Sequence, residues 1–309
     1  MVYVKKRSVS VWAAPVRSSG IPDTEVCGKR KVSVCAAVSG KQEGRNVTLD
    51  KSEFRVEENP YSNIRHMIGV VSGKGGVGKS LVTASLANLM ALQGYRVGIM
   101  DADITGPSIP RMYGIHGPAV GDDNGLYPLE ADNGIKIIST NLLLPNEEDP
   151  VIWRGPVIAN MVKQFYTDVV WGELDFLLVD MPPGTGDVPL TVFQSLPLDG
   201  IIIVTSPQNL VRMIVSKAVH MAEKMDVPVL GVVENYSYMI CPHCGEKIQV
   251  FGESHLEEAA EAEKLPVLGR LPINPEYAQK ADAGDFAGVA NDSLDRAAEV
   301  LRAMNENKG

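Results

Sequence analysis

Residues 73–80 read GKGGVGKS, which is the composition and spacing of a phosphate-binding loop. The glycines allow the backbone to curl so that successive N–H groups point at phosphate oxygens. Lys79 is expected to bridge the β- and γ-phosphates of a nucleotide, and the Ser80 hydroxyl to ligate Mg²⁺. The predicted nucleotide-binding residues of this loop are Gly73, Lys74, Gly75, Gly76, Val77, Gly78, Lys79 and Ser80.

Three aspartates follow apolar runs that have the length of buried strands. Asp180 closes the run in LLVDMPPGTGD (177–187), where a carboxylate that holds Mg²⁺ is expected. Asp101 closes the run in GIMDADITGPS (98–108), and Asp103 follows two residues later. Carboxylates at the C-terminal ends of parallel strands lie beside the ligand crevice. We predict that Asp103 orients the attacking water, whereas Asp101 is equally well explained as a strand-end cap.

Cys241 and Cys244 form a C-x-x-C pair within CPHCG (241–245). Such a pair is compatible with a redox dithiol, half of a zinc site or half of an iron–sulfur site. Two thiolates are fewer than the four ligands of a structural zinc site or a cubane cluster. A two-fold dimer would supply the pair twice, and would therefore place four thiolates at its axis. His243, between the cysteines, is predicted to point away from this site.

Lys74 is a second lysine in the loop, five residues before Lys79. Positive charge placed against the transferring phosphoryl group is the main source of catalysis in such sites, and a cation supplied across an interface is worth ~10³–10⁵ in rate. The loop resembles that of the deviant Walker A class of ATPases. This resemblance implies a homodimer in which Lys74 acts on the nucleotide of the facing copy; the simpler alternative is a solvated lysine.

Short apolar runs alternate with helix-length segments from about residue 66 onward. The runs are continuously apolar, as expected for strands buried on both faces. This alternation predicts an α/β fold with a doubly wound, mainly parallel sheet. The predicted strands are 67–72, 96–101, 135–140, 175–180, 200–205, 228–235 and 266–272, and the predicted helices are 79–93, 155–171, 208–225, 254–264 and 290–305.

Charge and composition narrow the function classes. The chain has 309 residues and a formal net charge of −9, which disfavours nucleic acid and anionic membranes as partners. No apolar run approaches the roughly 18 residues of a membrane span. The first 50 residues are basic and lack a clear packing period, so we predict a disordered segment over 1–60, with an organelle transit peptide as the alternative. We predict an ATPase domain over 61–309. A C-x-x-C pair without a secretory signal indicates a reducing compartment, so we predict the cytoplasm. Cys27 and Cys35 lack a standard ligand spacing and receive no role.

Several motifs together resemble the Mrp/ApbC family of iron–sulfur cluster carrier ATPases, whose fold is similar to that of MinD and nitrogenase iron protein. The motifs are GKGGVGKS, DADITGPSIPRMYG, WRGP, DFLLVDMPPGTGD, VVENYSYMICPHCG and LPIN, across roughly residues 60–305. The resemblance implies ATP and Mg²⁺ as ligands and a homodimer that bridges a [4Fe–4S] cluster through Cys241 and Cys244 and passes it to apoproteins. It also implies that Asn235 contacts adenine. The predicted catalytic residues are therefore Lys74, from the resemblance, and Lys79 and Asp103, from their positions in the motifs.

The resemblance has departures. Tyr236 replaces the methionine that this family usually carries after its Glu-Asn pair, and we interpret it as a substitution within the core. Residues 1–60 are too few for the folded N-terminal domain of many bacterial relatives. Two alternative functions stay open: a positioning ATPase similar to MinD or ParA, which does not need the cysteine pair, and a zinc-stapled nucleotide switch.

Overall fold

A nine-stranded, mainly parallel sheet forms the centre of the part of the chain that the computed structural model describes. The strands are β1 (Asn63–Val71), β2 (Val97–Asp101), β3 (Gly121–Asp122), β4 (Gly125–Leu126), β5 (Leu129–Glu130), β6 (Lys136–Ile138), β7 (Glu173–Asp180), β8 (Gly200–Thr205), β9 (Val229–Ile240), β10 (Lys247–Ile248) and β11 (Val267–Pro272). The helices are α1 (Lys79–Leu92), α2 (Ile109–Met112), α3 (Gly155–Thr167), α4 (Asp187–Ser195), α5 (Val211–Lys224), α6 (Leu256–Ala262), α7 (Pro275–Ala283) and α8 (Asp295–Asn307).

The strand order is β10-β9-β8-β1-β7-β2-β6-β5, and β11 also pairs with β9. Only β5 and β10 are antiparallel to their neighbours in this sheet; β3 and β4 form a separate hairpin. β1 and β2 flank β7 on its two sides and run parallel to it, so the C-terminal ends of these three strands lie side by side at one edge of the sheet. In register, Asp180 of β7 lies opposite both Val70 of β1 and Asp101 of β2.

Apolar cores cover both faces of the sheet, which explains why its central strands are apolar without alternation. One core contains buried residues of α3, α4, α5 and α6, and the other contains buried residues of α1, α2 and α8. Every residue of β2 and β8 is buried. The predicted doubly wound α/β fold is confirmed.

The observed elements differ from the predicted ones in ways that packing explains. Strand β9 continues to Ile240 instead of ending near residue 235, because β10 and β11 supply pairing partners for its second half. Helix α7 was not predicted because none of its residues is buried, which leaves no apolar period to detect. Its start is nevertheless marked by Asn274, whose side chain accepts a hydrogen bond from the Glu276 N–H at 3.0 Å.

The structure describes residues 55–104, 106–144, 155–184, 186–207 and 211–307, all within the unit Leu49–Gly309. Cys27, Cys35 and most of the basic segment lie outside the described residues, as do Trp153 and Arg154 of the WRGP motif. The domain boundary at residue 60 stays a prediction. Asn59, just before it, is buried and donates its backbone N–H to the Tyr166 carbonyl at 3.4 Å. Within the described ranges, every helix is too short or too polar to cross a membrane.

Candidate nucleotide and metal sites

The phosphate-binding loop connects β1 to α1, as its sequence predicts. Gly76 and Gly78 have left-handed backbone conformations, with φ of 79° and 75°. Gly78 also lies against β9, because a methyl group built on it would come within 2.1 Å of the Asn235 amide nitrogen. The loop therefore needs glycine here for both its conformation and its packing.

A cavity of about 330 Å³ opens in front of this loop. It is shaped by the turn after β7, by α2 and the residue before it, by Tyr236 of β9 and by part of α7. Its lining comprises Ser72, Gly75, Gly76, Val77, Gly78, Lys79, Ser80, Leu81, Asp103, Ser108, Met112, Pro183, Tyr236 and Ala281. All the predicted loop residues except Gly73 and Lys74 thus line one cavity.

Lys79 and Asp180 form a buried ion pair at the base of the cavity. The Lys79 Nζ lies 2.7 Å from Asp180 Oδ1, and the exposed fractions of the two side chains are 6% and 0%. The Ser80 hydroxyl donates to Asp180 Oδ2 at 2.5 Å, and the Thr83 hydroxyl donates to Asp180 Oδ1 at 2.9 Å. The structure therefore brings together the predicted phosphate lysine and both predicted magnesium ligands.

Asp103 faces the same lysine from the other side. Its Oδ2 lies 3.9 Å from the Lys79 Nζ, and its side chain is 17% exposed at the cavity wall. This position leaves the carboxylate accessible to a molecule in the cavity, as the predicted role in orienting water requires.

Asp101 is fully buried, and its carboxylate oxygens accept hydrogen bonds from groups of the protein itself. Its carboxylate accepts hydrogen bonds from the backbone N–H groups of Asp103, Ser108 and Ile109 and from the Ser139 hydroxyl, all at 3.2–3.3 Å. Burial, reinforced by the nearby charge of Asp180, raises the pKa of Asp101 to about 8. These contacts support the strand-end cap, since they hold the turn after β2 that carries Asp103.

Lys74 is exposed at the outer rim of the loop. The preceding residue anchors that rim, because a methyl group on Gly73 would lie 2.5 Å from Ile214 Cγ2 of α5. Lys74 is not among the residues that line the cavity of its own chain, which is compatible with a role toward a facing copy.

Asn235 and Tyr236 of β9 contact the loop at Val77 and Gly78. The Asn235 amide donates to the Val77 carbonyl at 3.0 Å, while its Oδ1 is buried without a hydrogen-bond partner among the described residues. Tyr236 has a left-handed φ of 58° and lines the cavity. The interpretation of Tyr236 as a core substitution is wrong, because the residue is half-buried and faces the nucleotide cavity.

Cys241 and Cys244 lie in the turn that joins β9 to β10. The turn is closed by the Cys241 N–H, which donates to the Glu246 carbonyl at 2.9 Å, and by the Gly245 N–H, which donates to the Cys241 carbonyl at 2.9 Å. Backbone N–H groups of Cys244 and His243 lower the pKa of Cys241, which favours its thiolate. Cys241 is half-buried, and Cys244 and His243 are exposed.

The described part of one chain offers no complete metal site at this turn or elsewhere, because no group of three or more His, Cys, Asp or Glu side chains is suitably placed. The turn is instead flanked by exposed apolar side chains. These are Ile240, Ile248, Val250 and Phe251.

Thr83 and Ser139 are site residues that sequence reasoning missed. Thr83 follows Lys79 by four positions, so helical spacing places both on one face of α1, and this signal could have identified it. Ser139 lies on a separate strand end, and only the observed pairing of β2 with β6 brings it to Asp101.

Comparison with known proteins reveals close relatives. A family model described as "ParA: NUBPL iron-transfer P-loop NTPase" matches residues 63–307. The chain is 50% identical over 232 residues to an iron–sulfur cluster carrier protein of Clostridium perfringens, covering 72% of this chain and 81% of the relative. It is 44% identical over 243 residues to one of Methanocaldococcus jannaschii, covering 76% and 82%.

Comparison with solved structures also finds similar proteins. A nucleotide-binding protein of Archaeoglobus fulgidus, in complex with ADP, superposes with a TM-score of 0.68 at 44% identity, covering 74% of this chain and 90% of that chain. A MinD cell division protein of Aquifex aeolicus has a TM-score of 0.50 at 20% identity, covering 79% and 97%, and supports the fold alone.

Proposed function

The chain belongs to the family of NUBPL iron-transfer P-loop NTPases, and from this premise we propose that two copies bind one [4Fe–4S] cluster between them and deliver it to apoproteins under the control of ATP. As a member of this family the protein is a P-loop NTPase, and its relatives are iron–sulfur cluster carriers. Thiol ligation of such a cargo requires a reducing compartment, so we place the activity in the cytoplasm.

The observation that carries this proposal is the cysteine turn. It presents two thiols at the surface, with Cys241 biased toward its thiolate, and the described residues offer no further ligand beside them. A cargo must be accessible to a recipient, and a ligand set divided between two copies opens when the copies separate. This property suits transient binding better than a structural zinc site whose four ligands come from one chain.

A second copy of the chain would complete the ligand set. Under two-fold symmetry each residue of the turn meets its own counterpart, so two copies supply four thiolates. Ile240 and Phe251 flank the turn with 52% and 59% of their surface exposed. Burying such side chains in the dimer would contribute apolar area and exclude water from the cluster.

The residues around the nucleotide cavity support the proposed binding and hydrolysis of ATP. Backbone N–H groups of the loop and Lys79 would bind the phosphates, and the exposed Lys74 would reach the nucleotide of the facing copy. Ser80 and Asp180 place two oxygens 2.5 Å apart beside the cavity, and such oxygens suit Mg²⁺. Bound Mg²⁺ would neutralise charge on the phosphates. The unpartnered Oδ1 of Asn235 is the atom that we assign to adenine.

Asp180→Asn is expected to raise the Mg²⁺ concentration needed for ATP turnover and to lower maximal turnover about 10²-fold, or ~2.7 kcal/mol in barrier height. A neutral amide is a poorer ligand for a hard dication and no longer pairs with Lys79. Mg²⁺ titration of the ATPase rate measures both effects. Asp175→Asn is the matched control, because Asp175 lies on the same strand but binds Arg96 at 2.9 Å, away from the cavity. An unaltered Mg²⁺ dependence in Asp180→Asn would remove Asp180 from the metal site.

Anaerobic reconstitution with iron and sulfide, followed by transfer to an apo-enzyme that needs a [4Fe–4S] cluster, tests the carrier function. We expect a brown protein with absorbance near 400 nm and recovery of the recipient's activity when the two proteins are mixed. A chelator added with the recipient controls for transfer through free iron. A colourless protein that retains zinc would support the nucleotide switch instead, and a stable cluster that never activates a recipient would contradict carriage.

A further inference from the structure

Tyr236 lies where β9 passes from the sheet interior to the cysteine turn. We propose that Tyr236 is a positioning residue that transmits the occupancy of the phosphate cavity to Cys241 and Cys244. The inference deepens the proposed function, since it names the residue through which nucleotide would control the cluster. Its evidence comes from the backbone of β9, from the cavity and from the cysteine turn.

The backbone of β9 is irregular at this residue. Tyr236 has a φ of 58°, a left-handed backbone conformation that residues other than glycine rarely adopt. Pairing of β9 with β8 ends at Glu234, and pairing with β11 shifts register between Arg270, opposite Glu234, and Pro272, opposite Tyr238. The strand therefore has two halves, 229–234 inside the sheet and 237–240 leading to the cysteines, with a break between them.

Side-chain hydrogen bonds hold the two halves around this break. The Ser237 hydroxyl donates to Glu234 Oε2 at 2.6 Å, and the Ser254 hydroxyl donates to Glu234 Oε1 at 2.7 Å. Glu234 is fully buried, so it is a firm anchor on the sheet side. The bridge from Glu234 to Ser237 spans Tyr236 and keeps its unusual conformation in place. Backbone conformations of this kind persist only where surrounding contacts determine them, and they concentrate at switch regions.

The Tyr236 side chain meets the part of the loop that must receive phosphate. It lines the 330 Å³ cavity, and a methyl group built on Gly78 would lie 2.9 Å from its hydroxyl oxygen. Its neighbour Asn235 holds the Val77 carbonyl. Because the N–H groups of this loop bind phosphate, filling the cavity acts directly on the atoms that Tyr236 contacts.

On the other side, the second half of β9 and the cysteine turn form one hairpin. Met239 and Ile240 pair with Ile248 and Lys247 of β10, and Cys241 starts the turn. Pairing with β11 holds this half at Tyr238. A rotation at residue 236 would therefore tilt the hairpin about that attachment and change how Cys241 and Cys244 are presented. Such a displacement is a coupling between two distinct sites, and by linkage cluster binding would alter nucleotide affinity by the same factor.

The test measures cysteine reactivity in the full chain without cluster. Apo-protein is alkylated with N-ethylmaleimide, with and without saturating Mg-ADP or a non-hydrolysable ATP analogue. Peptide mass spectrometry resolves Cys241 and Cys244 from Cys27 and Cys35. For the wild type we expect nucleotide to change the alkylation rate at the turn by about fivefold, the lower end of typical allosteric coupling.

Tyr236→Asn removes the ring but tolerates the left-handed conformation, and Tyr236→Phe removes only the hydroxyl. We expect the nucleotide effect to disappear in Tyr236→Asn and to weaken in Tyr236→Phe. Tyr238→Phe is the matched control, because Tyr238 is on the same strand but packs its ring under Lys247 at 4.4 Å; the nucleotide effect should persist there. A merely structural role would change reactivity equally with and without nucleotide and would leave the ratio intact.

A wild-type rate that is indifferent to bound nucleotide, or a Tyr236→Asn variant with the wild-type ratio, would overturn the inference. Nucleotide affinity measured for each variant ensures saturation, and melting temperatures verify folding. Because no cluster is present, failure of reconstitution would contradict the carrier function without changing this result.

Discussion

Lys79→Ala is expected to abolish ATP turnover and sharply weaken nucleotide binding, whereas Lys74→Ala is expected to bind nucleotide and lose hydrolysis by ~10³-fold or more. Lys79 is buried, lines the cavity and lies 2.7 Å from Asp180, a position from which it would face the phosphates of a bound nucleotide. Lys74 is exposed, and in the proposed role it would contribute only when a second nucleotide-bound copy approaches. Equilibrium nucleotide binding and steady-state hydrolysis, measured on both variants, separate the two roles.

The two substitutions also differ in their expected cost to folding. Removal of Lys79 leaves the buried carboxylate of Asp180 without its cation, and breaking a buried pair in this way costs ~3–5 kcal/mol. Lys74 is exposed, so its replacement should leave the melting temperature nearly unchanged. Lys79→Ala must therefore be shown to be folded before its inactivity is assigned to chemistry. Lys74→Ala is free of this ambiguity and is the stronger test.

A mixing experiment distinguishes action across the interface from action within one chain. Lys74→Ala copies retain Asp180, and Asp180→Asn copies retain Lys74. If Lys74 acts on the facing nucleotide, a mixed dimer has one complete site, and an equal mixture of the two inactive variants should recover about a quarter of wild-type turnover. If Lys74 acts on its own nucleotide, no site in the mixture is complete. Absence of recovery despite demonstrated subunit exchange would contradict the cross-interface role.

The parts of the site that could be predicted from the sequence are those determined by local chemistry. The loop glycines, Lys79 and Ser80 are adjacent in sequence, and Asp180 is marked by the apolar strand that it ends. Buried parallel strands appear in the sequence as continuous apolar runs, so the strands could be located along the chain. Asp101 and Asp180 each end such a run, and they could therefore be placed at the same edge of the sheet, formed by the C-terminal ends of the strands. The fold followed from the same signals.

The contacts between β9 and the loop could not be predicted in this way. Asn235 and the carbonyl it holds are separated by 158 residues, and no local pattern links them. The left-handed conformation of Tyr236 is equally invisible, because an aromatic residue in a strand normally signals regular β structure. The second half of β9 is half-buried and lacks a continuous apolar run, so its extension to Ile240 became evident only from its pairing.

Cys241→Ser and Cys244→Ser are each expected to abolish stable cluster binding while nucleotide binding persists. In a two-fold dimer each substitution removes two of the four thiolates at once. A serine hydroxyl is protonated at neutral pH and is a much weaker ligand than a thiolate. The turn should keep its shape, because it is closed by backbone hydrogen bonds of Cys241 and Gly245 that do not involve the sulfur atoms. Nucleotide binding by the cluster-free protein should be unchanged, because neither cysteine is among the residues that line the cavity.

The iron content decides between a bridged and an unbridged cluster. One [4Fe–4S] unit shared by two chains corresponds to about two irons per chain, and this ratio should accompany a dimer in sedimentation or light scattering. Tyr238→Phe is a suitable comparison, since Tyr238 lies on the same strand, outside the Glu234–Ser237 bridge, and its replacement keeps the ring under Lys247. Four irons per chain retained by a monomer would overturn the bridged model, because the described part of one chain has no further ligand group to complete the site. Loss of about half the iron in the cysteine variants, with the remainder still bound, would instead assign a second cluster to other residues of the chain.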